Sequence, residues 1–131
     1  MAVAKTILIV DDDREIVDGL KLVLEDRGYC VITAYDGDAG LTKAVNEQPD
    51  VVILDMMMPK KSGFLVLDAL KLRSAASPKV MMMTANEGDR HRAYAELLGV
   101  DDYLNKPFPL DTFLQRVEQL CPAPNAKSTT D

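Results

Sequence analysis

Apolar residues in this chain come in short solid runs, and longer stretches of helical spacing separate those runs. Residues 5–10 (KTILIV), 29–34 (YCVITA), 51–54 (VVIL), 79–83 (KVMMM) and 102–104 (DYL) are short and bounded by turn residues, so they predict strands. The first and third are solidly apolar, the pattern of strands buried on both faces. Between the runs, apolar residues recur three and four positions apart. A first helix from residue 14 carries Ile16, Leu20, Val23, Leu24 and Arg27 on one face, with Gly28 as its C-cap. A weaker second helix over 38–47 turns Leu41, Ala44 and Val45 inward and is stopped by Pro49. A third runs from beyond Pro59 and Gly63 to about residue 73, with Phe64, Leu67 and Leu70 at helical spacing. A fourth covers 87–98 and ends at Gly99. The fifth, 110–120, has the cleanest stripe: Leu110, Phe113, Leu114, Val117 and Leu120.

The order is strand then helix, repeated five times in 131 residues with no internal repeat. Right-handed crossovers turn that alternation into one α/β domain, a parallel sheet with helices on both faces. The arrangement is doubly wound and flavodoxin-like, (βα)5, with strand order 2-1-3-4-5. Its topological switch point falls between strands 1 and 3. Asp11, Asp12 and Asp13, at the end of strand 1, then lie beside Asp55, at the end of strand 3, in the crevice where such sheets bind ligands.

Composition narrows the function classes. The chain is 47% hydrophobic and 27% charged, as in ordinary globular proteins. A net charge of −6 argues against direct nucleic-acid binding, which needs a basic face. No apolar run approaches the ~18–20 residues of a membrane span. Residues 1–5 lead straight into a strand pattern with no secretory signal, so a cytoplasmic location is expected. Cys30 and Cys121 have no metal-ligand spacing and read as small apolar residues of a reducing compartment, though the sequence leaves a disulfide between them open. Residues 122–131 hold Pro, Asn, Ser and Thr without apolar period, a flexible tail or linker start after a domain of residues 1–121.

Four strand ends converge: acids from strand 1, Asp55 from strand 3, Thr84 from strand 4 and Lys106 from strand 5. Singly, each has an ordinary meaning as a cap, a turn residue or a solvated loop lysine. Local needs alone do not place acid, acid, hydroxyl and cation at four neighbouring strand ends. Two carboxylates about 5 Å apart repel by roughly 3 kcal/mol at an effective dielectric of 20, so the crevice needs a cation. All-oxygen ligands suit Mg2+, which takes one or two carboxylates and leaves room for phosphate. A carboxylate can also act as nucleophile toward phosphorus, giving an aspartyl phosphate, with Lys106 and Thr84 neutralising the phosphoryl oxygens.

Val10-Asp11-Asp12, Asp36-Gly37, Leu54-Asp55 with Met58-Pro59 and Gly63, Met83-Thr84-Ala85, Gly99, Asp102-Tyr103 and Lys106-Pro107-Phe108 follow one another on these repeats. In this the chain resembles the receiver domains of two-component response regulators, over about residues 5–120. The resemblance implies that Asp55 is the phosphoacceptor, fed by a sensor histidine kinase or phosphotransfer protein. It implies that Asp12, Asp55 and the Met57 backbone carbonyl bind Mg2+ directly, and that Asp11 acts through water. Thr84 and Lys106 would contact the phosphoryl group, and Tyr103 would be the switch aromatic that turns inward as Thr84 moves. Pro59, Gly63 and Pro107 would be structural, the Lys106-Pro107 bond being usually cis in the family. Met57 and Asn86 stand where the family tunes hydrolysis, and a bulky Met57 is expected to slow it.

The resemblance also implies a signalling domain rather than an enzyme. Its face of helix 4, strand 5 and helix 5 would change shape on phosphorylation and control an output domain or protein. That face could also form a homodimer. Arg92, Asp101, Asp102 and Arg116 resemble part of the charge set of DNA-binding members, with Leu97 and Thr112 where that set tends to have acids. His91, alone on the fourth helix, reads as a surface residue. The chain would be either a stand-alone regulator or the N-terminal piece of a longer one. Among the alternatives, a haloacid-dehalogenase-type phosphatase wants a second acid two residues after its nucleophile, where Met57 stands. A flavodoxin-type carrier wants a hydroxyl- and glycine-rich loop where three aspartates stand. A phosphorylation-independent interaction module would need no acid cluster.

Overall fold

The structure, a computed structural model, describes residues 4–58, 61–72, 78–85 and 88–123. Its elements are β1 (Thr6–Val10), α1 (Arg14–Asp26), β2 (Cys30–Ala34), α2 (Gly37–Glu47), β3 (Val51–Asp55), α3 (Gly63–Lys71), β4 (Lys79–Thr84), α4 (Asp89–Leu97), β5 (Asp102–Asn105) and α5 (Leu110–Leu120). The five strands are parallel in the order β2-β1-β3-β4-β5, as the sequence pattern predicts.

Strand alternation divides the core in two. Ile7, Ile9, Val51, Ile53, Met81 and Met83 meet Val17, Leu20 and Leu24 of α1 and Phe113 and Val117 of α5. Leu8, Val10, Val52, Leu54, Val80 and Met82 face Ala44 of α2, Val66, Leu67 and Leu70 of α3 and Ala95 of α4. Both sheet faces are thus covered, which is why these strands read as solid apolar runs.

Three helix faces differ from their sequence patterns. On α1 the buried residues are Val17, Leu20 and Leu24, whereas Ile16 and Val23 sit at the margin and Arg27 is the exposed C-cap. Both sets fit a 3.6-residue period, and the way the helix lies on the sheet chooses between them. On α2 close contact is made through Gly37, Gly40 and Ala44, and Val45 is exposed. On α5 Leu110 is 45% exposed at the first turn.

The caps are those the side chains can supply. Asp13 accepts from the Glu15 and Ile16 N–H groups, Asp36 from Ala39 and Ser62 from Leu65. Gly28 ends α1 at φ 95°, in the left-handed region that favours glycine. Cys30 and Cys121 are both free thiols, the first exposed and the second buried. Packing continues past α5: Ala123 is buried, and its N–H donates to Glu118 Oε2 at 3.2 Å.

Candidate functional site

Strand register builds the site. Val10 pairs with Leu54, so Asp11 and Asp55 are the next residues of neighbouring strands. Asp55 pairs with Met83, which places Thr84 one step on, and Thr84 pairs with Asn105, just before Lys106. The Lys106 N–H donates to the Thr84 carbonyl at 2.6 Å, tying the last two strand ends together. The Lys106-Pro107 peptide is cis.

Asp11, Asp12 and Asp55 each bring a carboxylate oxygen within 4.8 Å of the others. Asp11 and Asp55 are buried and Asp12 is exposed. Lys106 Nζ lies 2.8 Å from Asp11 Oδ2 and 3.3 Å from Asp55 Oδ1. One ammonium among three carboxylates leaves net negative charge in a buried place. Asp55 registers this: burial first, then the Asp11 charge, push its carboxyl up to about 6, against the pull of Lys106. On Lys106 burial pulls down, but its hydrogen bond to Asp11 and the charges of Asp55 and Asp11 prevail and raise it. The donor set fits a hard divalent cation. Oxygen ligands converge, their charge is only partly cancelled, and one acid stays open to solvent.

Thr84 is wholly buried. Tyr103 already lies inward, 5% exposed. Its hydroxyl shares a hydrogen bond with the Thr84 side chain and sits 3.9 Å from Met56 Sδ. Burial raises the Tyr103 phenol, against the Arg92 guanidinium 5.6 Å from its ring centroid. Met57 is 63% exposed, so its side chain covers no core. Met56 is the fully buried one of that run. Gly63 packs against the Asp55 backbone: a Cβ there would overlap the Asp55 carbonyl oxygen. Pro59 and Asn86 lie outside the described residues.

The charges of the α4–β5–α5 face are engaged within the chain. Arg116 pairs with Asp102 at 2.6 Å, Lys71 with Asp101 at 2.7 Å, and Arg92 with Glu96 at 3.4 Å. His91 is not a freely solvated side chain: it is half-buried and stacks on Phe64 with centroids 6.0 Å apart.

Two features beside the site had no clear sequence signal. Arg14, the first residue of α1 after the strand-end acids, lies 3.9 Å over the Tyr35 ring centroid. Gly37, named only within the Asp36-Gly37 motif, packs against the Lys61 backbone, and Gly40, a position inside the second helix, packs against the Val10 side chain. Among the described residues no helix is long and apolar enough to cross a membrane.

Residues 7–118 match the family model described as "Response regulator receiver domain". The alkaline phosphatase synthesis transcriptional regulatory protein PhoP of Bacillus subtilis (strain 168) is 43% identical over 104 residues, 79% of this chain and 43% of that protein. The transcriptional regulatory protein CpxR of Escherichia coli (strain K12) is 46% identical over 103 residues, 78% of this chain and 43% of that one. The chain thus spans under half the length of these relatives. Among solved structures, a CheY-like receiver domain protein of Methanospirillum hungatei JF-1 superposes with TM-score 0.83 at 34% identity, covering 90% of this chain and 94% of that one. The chemotaxis protein CheY4 of Vibrio cholerae, crystallised at low pH, gives 0.84 at 30% identity, covering 90% and 99%.

Proposed function

This chain belongs to the response regulator receiver domain family, and on that premise we propose that it takes a phosphoryl group from a sensor histidine kinase or phosphotransfer protein onto Asp55. The observation that carries this is the cluster of Asp11, Asp12 and Asp55 with Lys106 bridging two of its acids. Asp12 and Asp55 would hold Mg2+ directly with the Met57 backbone carbonyl, and Asp11 through water. When bound, the ion neutralises charge on the phosphoryl oxygens.

The Asp55 carboxylate attacks phosphorus in line, and the donor's imidazole nitrogen leaves. Lys106 is held by Asp11, so its ammonium can turn from Asp55 to a phosphoryl oxygen without losing its anchor. The Thr84 hydroxyl donates to a second oxygen. A phosphoryl group adds about −1.5 to −2 charges and three strong acceptors, enough to draw the β4–α4 end of the sheet toward it. Tyr103 follows through its bond to Thr84. The α4–β5–α5 face changes packing with them, a population shift that an output domain, a partner protein or a second copy would read.

The donor protein has a surface beside the pocket. An apolar groove of about 740 Å³, lined by Ile16, Leu20, Val23, Pro107, Phe108 and Leu110, opens next to Lys106. Leu22 stands 70% exposed on its α1 wall. This reading makes the chain a cytoplasmic signalling domain with a phosphorylated state, not an enzyme with a separate substrate.

The test is intact mass after incubation with acetyl phosphate, with and without Mg2+, on wild type and Asp55→Asn. A Mg2+-dependent gain of one phosphoryl group, absent in the variant, is expected. A gain that survives in Asp55→Asn would move the acceptor elsewhere, and no gain from either acetyl phosphate or a phosphorylated kinase would remove the proposal.

A further inference from the structure

The first turn of α2 stands between the two chain segments that carry the acid cluster. On one side Gly40 lies on Val10, the residue before Asp11 and Asp12, and a Cβ there would come 2.7 and 2.8 Å from the two Val10 methyls. On the other side Gly37 is buried against the segment that leads from Asp55 and Met57 into α3. A Cβ on Gly37 would overlap the Lys61 carbonyl oxygen and stand 2.7 Å from Lys61 Cβ. The Lys61 atoms are backbone and stem, and the Val10 methyls belong to a β-branched side chain that is stiff at χ1, so neither contact swings aside as a long side-chain tip can. The Lys61 ammonium adds an ion pair back to Asp38 at 3.7 Å.

The α2 side of this contact is held by its own hydrogen bonds. The Asp36 carboxylate accepts from the Ala39 N–H at 2.8 Å, and the Asp36 carbonyl from the Gly40 N–H at 2.9 Å. The β3–α3 segment is closed at its base, where the Gly63 N–H donates to the Met56 carbonyl at 2.9 Å. That bond couples Lys61, through Ser62 and Gly63, to Met56 and its neighbour Met57.

We propose that the first turn of α2 is a spacer that, beside the β1–β3 pairing, sets how far the Asp11 and Asp12 carboxylates stand from the ligands on the β3 side, and thereby tunes which size of cation the cluster prefers. This rests on the reading of the cluster as a Mg2+ site. Mg2+ demands near-octahedral oxygens at about 2.0–2.1 Å, whereas Ca2+ accepts about 2.3–2.6 Å in looser arrangements. Moving one half of the ligand set against the other costs Mg2+ more than Ca2+. Gly37 is a positioning residue here, acting through Lys61.

The experiment is calorimetric titration of the full chain with Mg2+ alone and with Ca2+ alone, for wild type, Gly37→Ala, Lys61→Gly and Val117→Ala. Gly37→Ala overfills the contact and Lys61→Gly loosens it. Val117→Ala opens a cavity under α5, on the opposite face of the sheet. Gly37→Ala is expected to lose about tenfold or more in Mg2+ affinity, the usual scale for an outer-shell change, and several-fold less for Ca2+. Lys61→Gly shifts the ratio in the same direction and remains available if Gly37→Ala does not fold. Val117→Ala loses stability but keeps the wild-type ratio. An unchanged Mg2+ to Ca2+ ratio in the folded spacer variants, or the same shift in Val117→Ala, overturns the spacer. A wild type that binds neither ion overturns instead the metal reading on which it rests.

Discussion

Lys106 leans on Asp11 more closely than on Asp55, with Nζ at 2.8 Å from the one and 3.3 Å from the other. The acid nearer the ammonium is not the proposed nucleophile. Asp11 is thus the anchor and Asp55 the partner that can be given up.

Removing that ammonium is the first test of its electrostatic duty. Lys106→Met leaves three carboxylates facing one another with no counter-charge of their own. Breaking such a buried pair costs about 3–5 kcal/mol, so a clear fall in Tm is expected in chelator. Added Mg2+ should restore more of that loss than it adds to wild type. Equal Mg2+ responses would mean that Lys106 does not neutralise the cluster.

Asp55 gives a pH dependence with a definite sign. Its carboxyl is raised from 3.8 to about 6, so the fold disfavours the ionised form. The stability lost to its ionisation is absent below about pH 4, grows as pH rises through about 6, and is complete above. In chelator, Asp55→Asn should therefore exceed wild type in stability at neutral pH, by at most about 3 kcal/mol. The gap should close toward pH 4 in urea titrations run across that window. A gap that widened as pH fell would show that Lys106 outweighs burial.

The same shift sets protons against cations. A divalent ion binds the ionised carboxylate, so apparent Mg2+ affinity should fall by up to about tenfold per pH unit below the Asp55 value of about 6. Labelling by acetyl phosphate at limiting Mg2+ should fall over the same range, and saturating Mg2+ should carry it to lower pH. Affinity that stays flat between pH 7 and 5 would place the metal on Asp11 and Asp12 without Asp55.

Most of the fold could be read from the chain because the central strands β1, β3 and β4 are nearly solid apolar runs and the helices are periodic. For α5, the Leu110 to Leu120 stripe gave both ends as they stand. The α1 face could not be settled the same way, since Ile16 and Val23 fit the period as well as Val17 does. The meeting of Asp11, Asp55, Thr84 and Lys106 follows from strand order alone. The finer arrangement does not: nothing local says that Lys106 prefers Asp11 to Asp55, or that Tyr103 lies inward. The contacts of Gly37 and Gly40 were the least legible, because a glycine used for turning and one used for close packing look the same in a sequence.

The last prediction separates two adjacent acids that the sequence groups together. Asp101 accepts from Lys71 Nζ at 2.7 Å and from the Val80 N–H at 2.8 Å, joining the end of α3 to the start of β4. Lys71 also donates to the Pro78 carbonyl at 3.1 Å, so Asp101 is a brace between elements. Asp102 instead meets Arg116 across the part-exposed α4–β5–α5 face. Asp101→Ala should cost about 1–3 kcal/mol, since it strands a backbone donor. Arg116→Ala removes only that part-exposed pair and should cost under about 1 kcal/mol. A second copy docking on this face can therefore recruit Arg116 and Asp102 cheaply but not Asp101. In sedimentation runs on phosphorylated protein, any self-association should weaken in Arg116→Ala with the monomer's stability nearly unchanged. An Arg116→Ala variant that unfolds as readily as Asp101→Ala would make Arg116 another internal brace and take this face's charges out of any dimer contact.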